Sequence, residues 1–194
     1  MKIEMDLLLE QKIFEVKKIW SDPSCFPLKD LSEIAEKFVS TFSTGKKVAF
    51  VGNGGSAAES IHLTAEFIGK CVIDHHPLPV LCLNESQSVI TAIGNDYDFD
   101  QIFARMVRAH LREGDLLVAL STSGKSKNIL EALKVATEMR VSCMLWMGSF
   151  ETNIPSVTVY KAPSISTPRI QEIHLAWGHL IAEVIERNIS LTHS

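Results

Sequence analysis

Apolar residues recur along the chain at two spacings, and the switching between them predicts the architecture. Over residues 3–20, Met5, Leu8, Leu9, Ile13 and Val16 fall at helical intervals, and Ser21-Asp22-Pro23-Ser24 breaks the run. Residues 31–42 repeat the helical pattern and stop at Ser43-Thr44-Gly45, a composition suited to a helix C-cap. Residues 47–51 (KVAFV) read as the first buried strand, followed by a glycine turn and a helix over about 57–69. Further short apolar runs at 79–83, 115–120, 141–147 and 157–159 read as strands. Helical patterns at 88–93, at 98–111, from Asn128 onwards and from Pro168 to about 188 separate or follow them, with proline favoured at a helix start.

Strands alternating with helices predict an α/β fold with a parallel sheet covered on both faces. In such a sheet, ligands sit beyond the C-terminal strand ends, at the switch in strand order. Two turns rich in glycine and hydroxyl groups lie at such ends, Gly52-Asn53-Gly54-Gly55-Ser56 and Ser121-Thr122-Ser123-Gly124-Lys125-Ser126. The two helices that precede any strand leave apolar surface to cover, and part of it is expected to pack against another subunit.

The second turn sits between a strand and a helix, so its hydroxyls and the first helical amides face one space. Unpaired amides and the positive end of the helix dipole suit a phosphate there. Simple N-capping accounts for one Ser or Thr, not for four hydroxyls in six residues. Gly124-Lys125-Ser126 matches the end of a Walker A motif, but Ala119 stands where that motif needs its first glycine. The first turn fits the dinucleotide pattern through Gly52, Gly54 and Ala57, with Asp74 downstream. That fingerprint is weak by itself and leaves the second hydroxyl-rich turn without a role.

Composition narrows the class. A length of 194 residues suffices for one domain with a full core, and 46% hydrophobic with 22% charged residues is ordinary for a globular protein. A net charge of −4 without a Lys/Arg run gives no general attraction to nucleic acid. Cys25, Cys71, Cys82 and Cys143 are dispersed with no C-x-x-C pair, as expected of reduced thiols in a cytoplasmic protein. Charges interrupt the N-terminal apolar residues, so this stretch reads neither as a signal peptide nor as a membrane span.

Two polar sets remain as candidate chemistry. His62 and Glu66, at i and i+4 after the first glycine turn, share a helical face. Such a pair binds a metal, supplies a base held by an imidazole, or is a solvated surface pair. The last helix carries Arg169, Gln171, Glu172, His174 and His179, some of them structural. Gln171 and His179 are separated by roughly 12 Å of helical rise. They meet one metal only if their side chains lean together or if sites are shared between chains.

Taken together, GNGGSAAESIHLTAEFIG, the GND at 94–96, LSTSGKS and RIQEIH resemble a SIS (sugar isomerase) domain, and most closely the phosphoheptose isomerase family. The resemblance runs from the second helix to the last, in the same order and at similar spacing. It implies a three-layer α/β sandwich with a five-stranded parallel flavodoxin-like sheet. The whole chain, 1–194, would be one SIS domain, with N-terminal helices over about 1–44 in oligomer packing. It further implies a homotetramer with active sites at subunit interfaces, and a bound zinc.

The implied reaction converts D-sedoheptulose 7-phosphate to D-glycero-D-manno-heptose 7-phosphate through a cis-enediol, the first step towards nucleotide-activated heptose for lipopolysaccharide or capsule. By resemblance, Ser121, Thr122, Ser123 and Ser126 hold the phosphate, with Asn53, Gly54 and Gly55 in the same pocket. Asn95 and Asp96 match the sugar-contacting pair, and Glu66 and Gln171 also border the substrate. Glu66 matches the catalytic base and His179 the catalytic histidine; His62, Glu66, Gln171 and His179 match the zinc ligands. A non-catalytic relative that binds the replication initiator DnaA, and regulators that sense sugar phosphates, share the phosphate turn. The DnaA-binding relative lacks the base and the histidine, and both are present here. The chain departs from the family pattern at Lys125, where a small polar residue is usual, and at Thr167-Pro168, where an acidic residue commonly precedes Arg169. The segment between Gly148 and Val157 is also short.

Overall fold

The computed structural model describes residues 2–192. Helix α1 (Lys2–Ser21) and helix α2 (Leu28–Ser43) precede the sheet, joined by a 3-10 turn at Pro23–Cys25. Strand β1 (Val48–Gly52), helix α3 (Gly55–Ile68), strand β2 (Val80–Cys82) and helix α4 (Gln87–Asp96) follow. The pattern predicted at 98–111 divides into a 3-10 turn, Phe99–Gln101, and helix α5 (Ile102–His110). The chain continues through strand β3 (Leu116–Leu120), helix α6 (Lys127–Glu138), strand β4 (Ser142–Met147), strand β5 (Thr158–Lys161) and helix α7 (Thr167–Thr192). The expected elements therefore all form, with ends displaced by a few residues.

All four strand pairings are parallel and the strand order is β2-β1-β3-β4-β5, the expected five-stranded flavodoxin-like sheet. Every residue of β1 and β3 is buried, because helices cover both faces. Side-chain alternation divides these strands between two cores. Phe50, Val118 and Trp146 join Ile34, Phe38, Phe67 and Trp177 on the side of α2, α3 and α7. Ala49, Val51, Leu117 and Ala119 join Phe103, Val107 and Leu133 on the side of α5 and α6. At the N-terminal strand ends, buried Asp115 accepts from the Lys47 and Arg112 amides and from Lys47 Nζ at 2.8 Å. This ties β1 to β3 in the register that aligns Gly52 with Leu120, so the two turns leave the sheet side by side at the switch in strand order.

Helix α1 is different. Ile3, Met5, Leu7, Leu8, Leu9, Ile13 and Phe14 are each more than half exposed. The helix is fastened mainly near its C-terminal end, where Ile19 is buried and Trp20 stacks on Phe26 at 5.7 Å between ring centroids.

Candidate active site

The first turn is shaped by close backbone approach. A Cβ on Gly52 would strike the Ser56 carbonyl, and one on Gly55 would strike the Gln171 side-chain amide. Gly54, at the N-cap of α3, takes a φ of 56°, which a side chain would strain. Asn84, just beyond β2, fixes the start of the turn by accepting from Gly52 N at 3.1 Å and donating to Gly52 O at 2.8 Å.

In the second turn, the Ser121 amide donates to Trp146 O and the Gly148 amide to Thr122 O, both at 3.0 Å, anchoring the loop on β4. Gly124 has a φ of 64° and its amide donates to Ser121 O. Ser126 occupies the N-cap of α6 without a side-chain capping bond, while its carbonyl accepts from Ile129 and Leu130. Among the described residues the Ser121 hydroxyl is buried without a partner, and Ser123 Oγ accepts from the Lys125 amide at 3.2 Å. These hydroxyls are thus not consumed by capping. Lys125 is exposed.

The two turns are linked. Asn53 Nδ2 donates to Asn128 Oδ1 at 2.8 Å, and Asn128 Nδ2 donates back to Asn53 Oδ1 at 2.9 Å. Asn95 and Asp96 close α4, exposed, with Asn95 Nδ2 donating to Asp96 Oδ1. The 3-10 turn after α4 packs on α6, which brings that end of α4 towards the second turn.

Helices α3 and α7 run side by side in the same direction, with Gly55 against Gln171, Leu63 against Gly178 and His62 against His179. The two imidazoles approach Nε2 to Nε2 at 2.8 Å, and Glu66 Oε1 lies 3.3 Å from His62 Nε2. Their donor atoms all lie within 4.8 Å of one another, and two imidazoles with a carboxylate form a donor set suited to zinc. Three of the four candidate ligands therefore meet. Gln171 is not with them, because its amide sits over Gly55 at the start of α3, and helical rise puts roughly 12 Å between residues 171 and 179. Glu66, eleven residues beyond Gly55, lies roughly 16 Å along α3 from the first turn.

Several further residues shape this region. Glu59 is buried on α3, in the stripe that runs through Gly55, His62 and Glu66, and among the described residues only the Ser56 hydroxyl is close enough to favour its charged form, too weakly to offset burial. Burial pushes its pKa up to about 8. The Cys71 thiol is pushed up to about 12, first by burial and then by its contact with the Glu66 carboxylate. Glu186 accepts from the amides of Cys71, Val72 and Ile73 and holds this segment against α7. Burial alone would raise the Glu186 pKa, but those donors outweigh it and hold it low. His174 is fully buried between Trp146 and Trp177, and burial pushes its pKa down to about 4, so it is a core residue. Arg169 pairs with Glu172 at 2.7 Å. The spacing of Glu59 to His62 and Glu66 was a sequence signal for its stripe. No such signal marked Asn84, whose partner is distant in the chain.

Comparison with known proteins fits this geometry. The model of the SIS domain matches residues 16–144, and the chain belongs to that family. Within it, the chain belongs with the phosphoheptose isomerases. It is 44% identical over 158 residues to the phosphoheptose isomerase of Rhodospirillum rubrum, covering 80% of this chain and 84% of that one. It is 36% identical over 191 residues to that of Clostridium acetobutylicum, covering 97% and 96%. The structure of phosphoheptose isomerase GmhA from Neisseria gonorrhoeae superposes with a TM-score of 0.86 at 31% identity, covering 94% of this chain and 99% of that one.

Proposed function

We infer that this protein isomerises D-sedoheptulose 7-phosphate to D-glycero-D-manno-heptose 7-phosphate, an aldose–ketose isomerisation at the entry to nucleotide-activated heptose synthesis. The observation that carries the reading is the meeting of His62, Glu66 and His179 in a chain whose relatives are phosphoheptose isomerases. The isomerisation moves a proton between adjacent carbons through a cis-enediol, while protons shift on the two oxygens. Glu66 takes the carbon-bound proton and returns it to the neighbouring carbon. His179 serves the oxygens, with its ring oriented by His62. Each such group typically contributes roughly 10²–10⁴-fold.

Ser121, Thr122, Ser123 and Ser126 hold the phosphate, with Asn53, Gly54 and Gly55 completing its cradle and Asn95 with Asp96 contacting the sugar. The unpartnered Ser121 hydroxyl supports this reading. His62, Glu66 and His179 would hold zinc, which supplies Lewis-acid polarisation of the carbonyl when bound, and Gln171 would join them as a fourth donor only from another copy of the chain.

The sites are shared between copies of a homotetramer. This reading is supported by the separation along α3 between the first turn and Glu66, and by the apolar residues exposed on α1. The thiols, all free and three of them buried, suit a cytoplasmic enzyme, and no described helix is long and apolar enough to cross a membrane. The adaptor reading, in which the protein only binds DnaA or senses a sugar phosphate, leaves Glu66 and His179 without a role.

The test is a coupled assay with sedoheptulose 7-phosphate, run with and without chelator. Glu66→Gln should lower turnover at least about a hundredfold with an unchanged melting temperature, and chelator should inhibit until zinc is restored. Turnover near wild type in the variant would sink the mechanism, and indifference to chelator would remove the metal.

A further inference from the structure

We propose that Asn128 is a positioning residue for the phosphate site, holding Asn53 in the orientation that binds ligand. The proposal rests on the reading of the two turns as a phosphate cradle. Asn128 stands in the first turn of α6, two residues after Ser126, and is 2% exposed. Its amide and that of Asn53 exchange two hydrogen bonds, at 2.8 and 2.9 Å. This pair spans the crevice between the turn after β1 and the turn after β3, where the strand order switches.

The direction of the pair is set by the backbone. The Ile129 amide donates to Asn128 Oδ1 at 2.9 Å, so the other atom of that side chain is the donor. Asn53 must then present Nδ2 to Asn128 Oδ1 and receive Asn128 Nδ2 on its own Oδ1. An amide nitrogen carries two hydrogens, and Asn128 uses one of those on Asn53. The second projects away from the pair, available to an anionic oxygen. Fixing that donor before ligand arrives avoids the entropic cost of ordering it on binding. The same two bonds hold the first turn at a set distance from the α6 N-terminus, whose hydroxyls and amides form the other wall. Aspartate at 128 would lose the donor to Asn53 Oδ1, and an aliphatic residue would lose both bonds and release Asn53.

The experiment compares Asn128→Ala, Asn53→Ala and the double variant in steady-state turnover of sedoheptulose 7-phosphate. In parallel, the rise in melting temperature caused by inorganic phosphate is measured for each. Asn128→Ala should raise KM about tenfold, the scale of one or two net hydrogen bonds, with kcat within about twofold. Its phosphate-induced stabilisation should shrink accordingly. The double variant should be little worse than Asn53→Ala alone, because Asn128 acts through Asn53. A residue that served only the fold would lower kcat through lost active protein and leave KM in place. Should Asn128→Ala fail to fold, Asn128→Ser, which keeps a side-chain oxygen at the start of α6, carries the same comparison. Unchanged KM in an otherwise active protein, or additive effects in the double variant, overturns the proposal. A wild-type protein that neither turns over the sugar phosphate nor gains stability from phosphate overturns the phosphate reading itself.

Discussion

Glu59 and His174 show how burial turns single residues into pH-dependent terms of opposite sign. Glu59 is held protonated by burial, its pKa raised from 4.5 to about 8. The stability associated with its protonated form is complete below about pH 4.5 and is lost as pH rises through about 8, at no more than about 1.4 kcal/mol per pH unit. Glu59→Gln keeps the shape and cannot ionise, so its melting temperature should exceed that of wild type above about pH 8 and converge with it near pH 4.5. A constant difference across that range would show that Glu59 finds a partner for its charge. His174 behaves in the opposite sense, its pKa lowered from 6.5 to about 4. Its neutral ring contributes fully above about pH 6.5, and that contribution is lost as pH falls towards about 4. Replacing it by Phe should flatten the acid side of the stability profile in thermal melts. In the second turn, Ser123→Ala should raise KM for the sugar phosphate severalfold, by the scale of one hydrogen bond to a charged group. Unchanged kinetics would remove Ser123 from the phosphate site.

At the scale of elements, the periodicity that predicts α1 does not predict what covers it. Leu9 and Ile13 are spaced as a buried stripe would be, yet they are exposed together with Leu7 and Phe14 on other faces. A helix apolar around much of its circumference needs partners on more than one side, and a single chain supplies contact mainly at Ile19 and Trp20. Leu7→Glu combined with Phe14→Glu should therefore shift the protein to smaller species in light scattering at the same concentration. An unchanged mass would take α1 out of the assembly. The strands were easier to read than their neighbours, because burial on both faces makes β1 and β3 continuous apolar runs. The helical pattern at 98–111 gave no hint of its 3-10 start, since Asp98 capping the Asp100 amide is a local detail of one turn.

For the whole molecule, the distance along α3 from Gly55 to Glu66 governs how a site can be completed. If the turns of one copy work with the Glu66 and His179 of another, two impaired variants should complement each other. Mixing Ser121→Ala/Ser123→Ala with Glu66→Gln under conditions that allow subunit exchange should restore part of the activity in the coupled assay. No recovery in demonstrably mixed oligomers would confine each site to one chain.

The order of strands and helices, the two turns and the candidate pair Glu66 and His179 were legible in the sequence, because periodicity and short motifs are local. The switch in strand order that sets Gly52 beside Leu120 is a matter of pairing between distant segments, and only the folded chain decided it. The same holds for Asn53 with Asn128 across the crevice and for Asn84 on Gly52. The sequence allowed Gln171 and His179 to share a metal by leaning together or by sites shared between chains. The packing of α3 against α7 instead placed Gln171 over a glycine and brought His179 to His62. A helix fixes the spacing of its own side chains, but which neighbour each one meets is fixed by how two helices are set against each other.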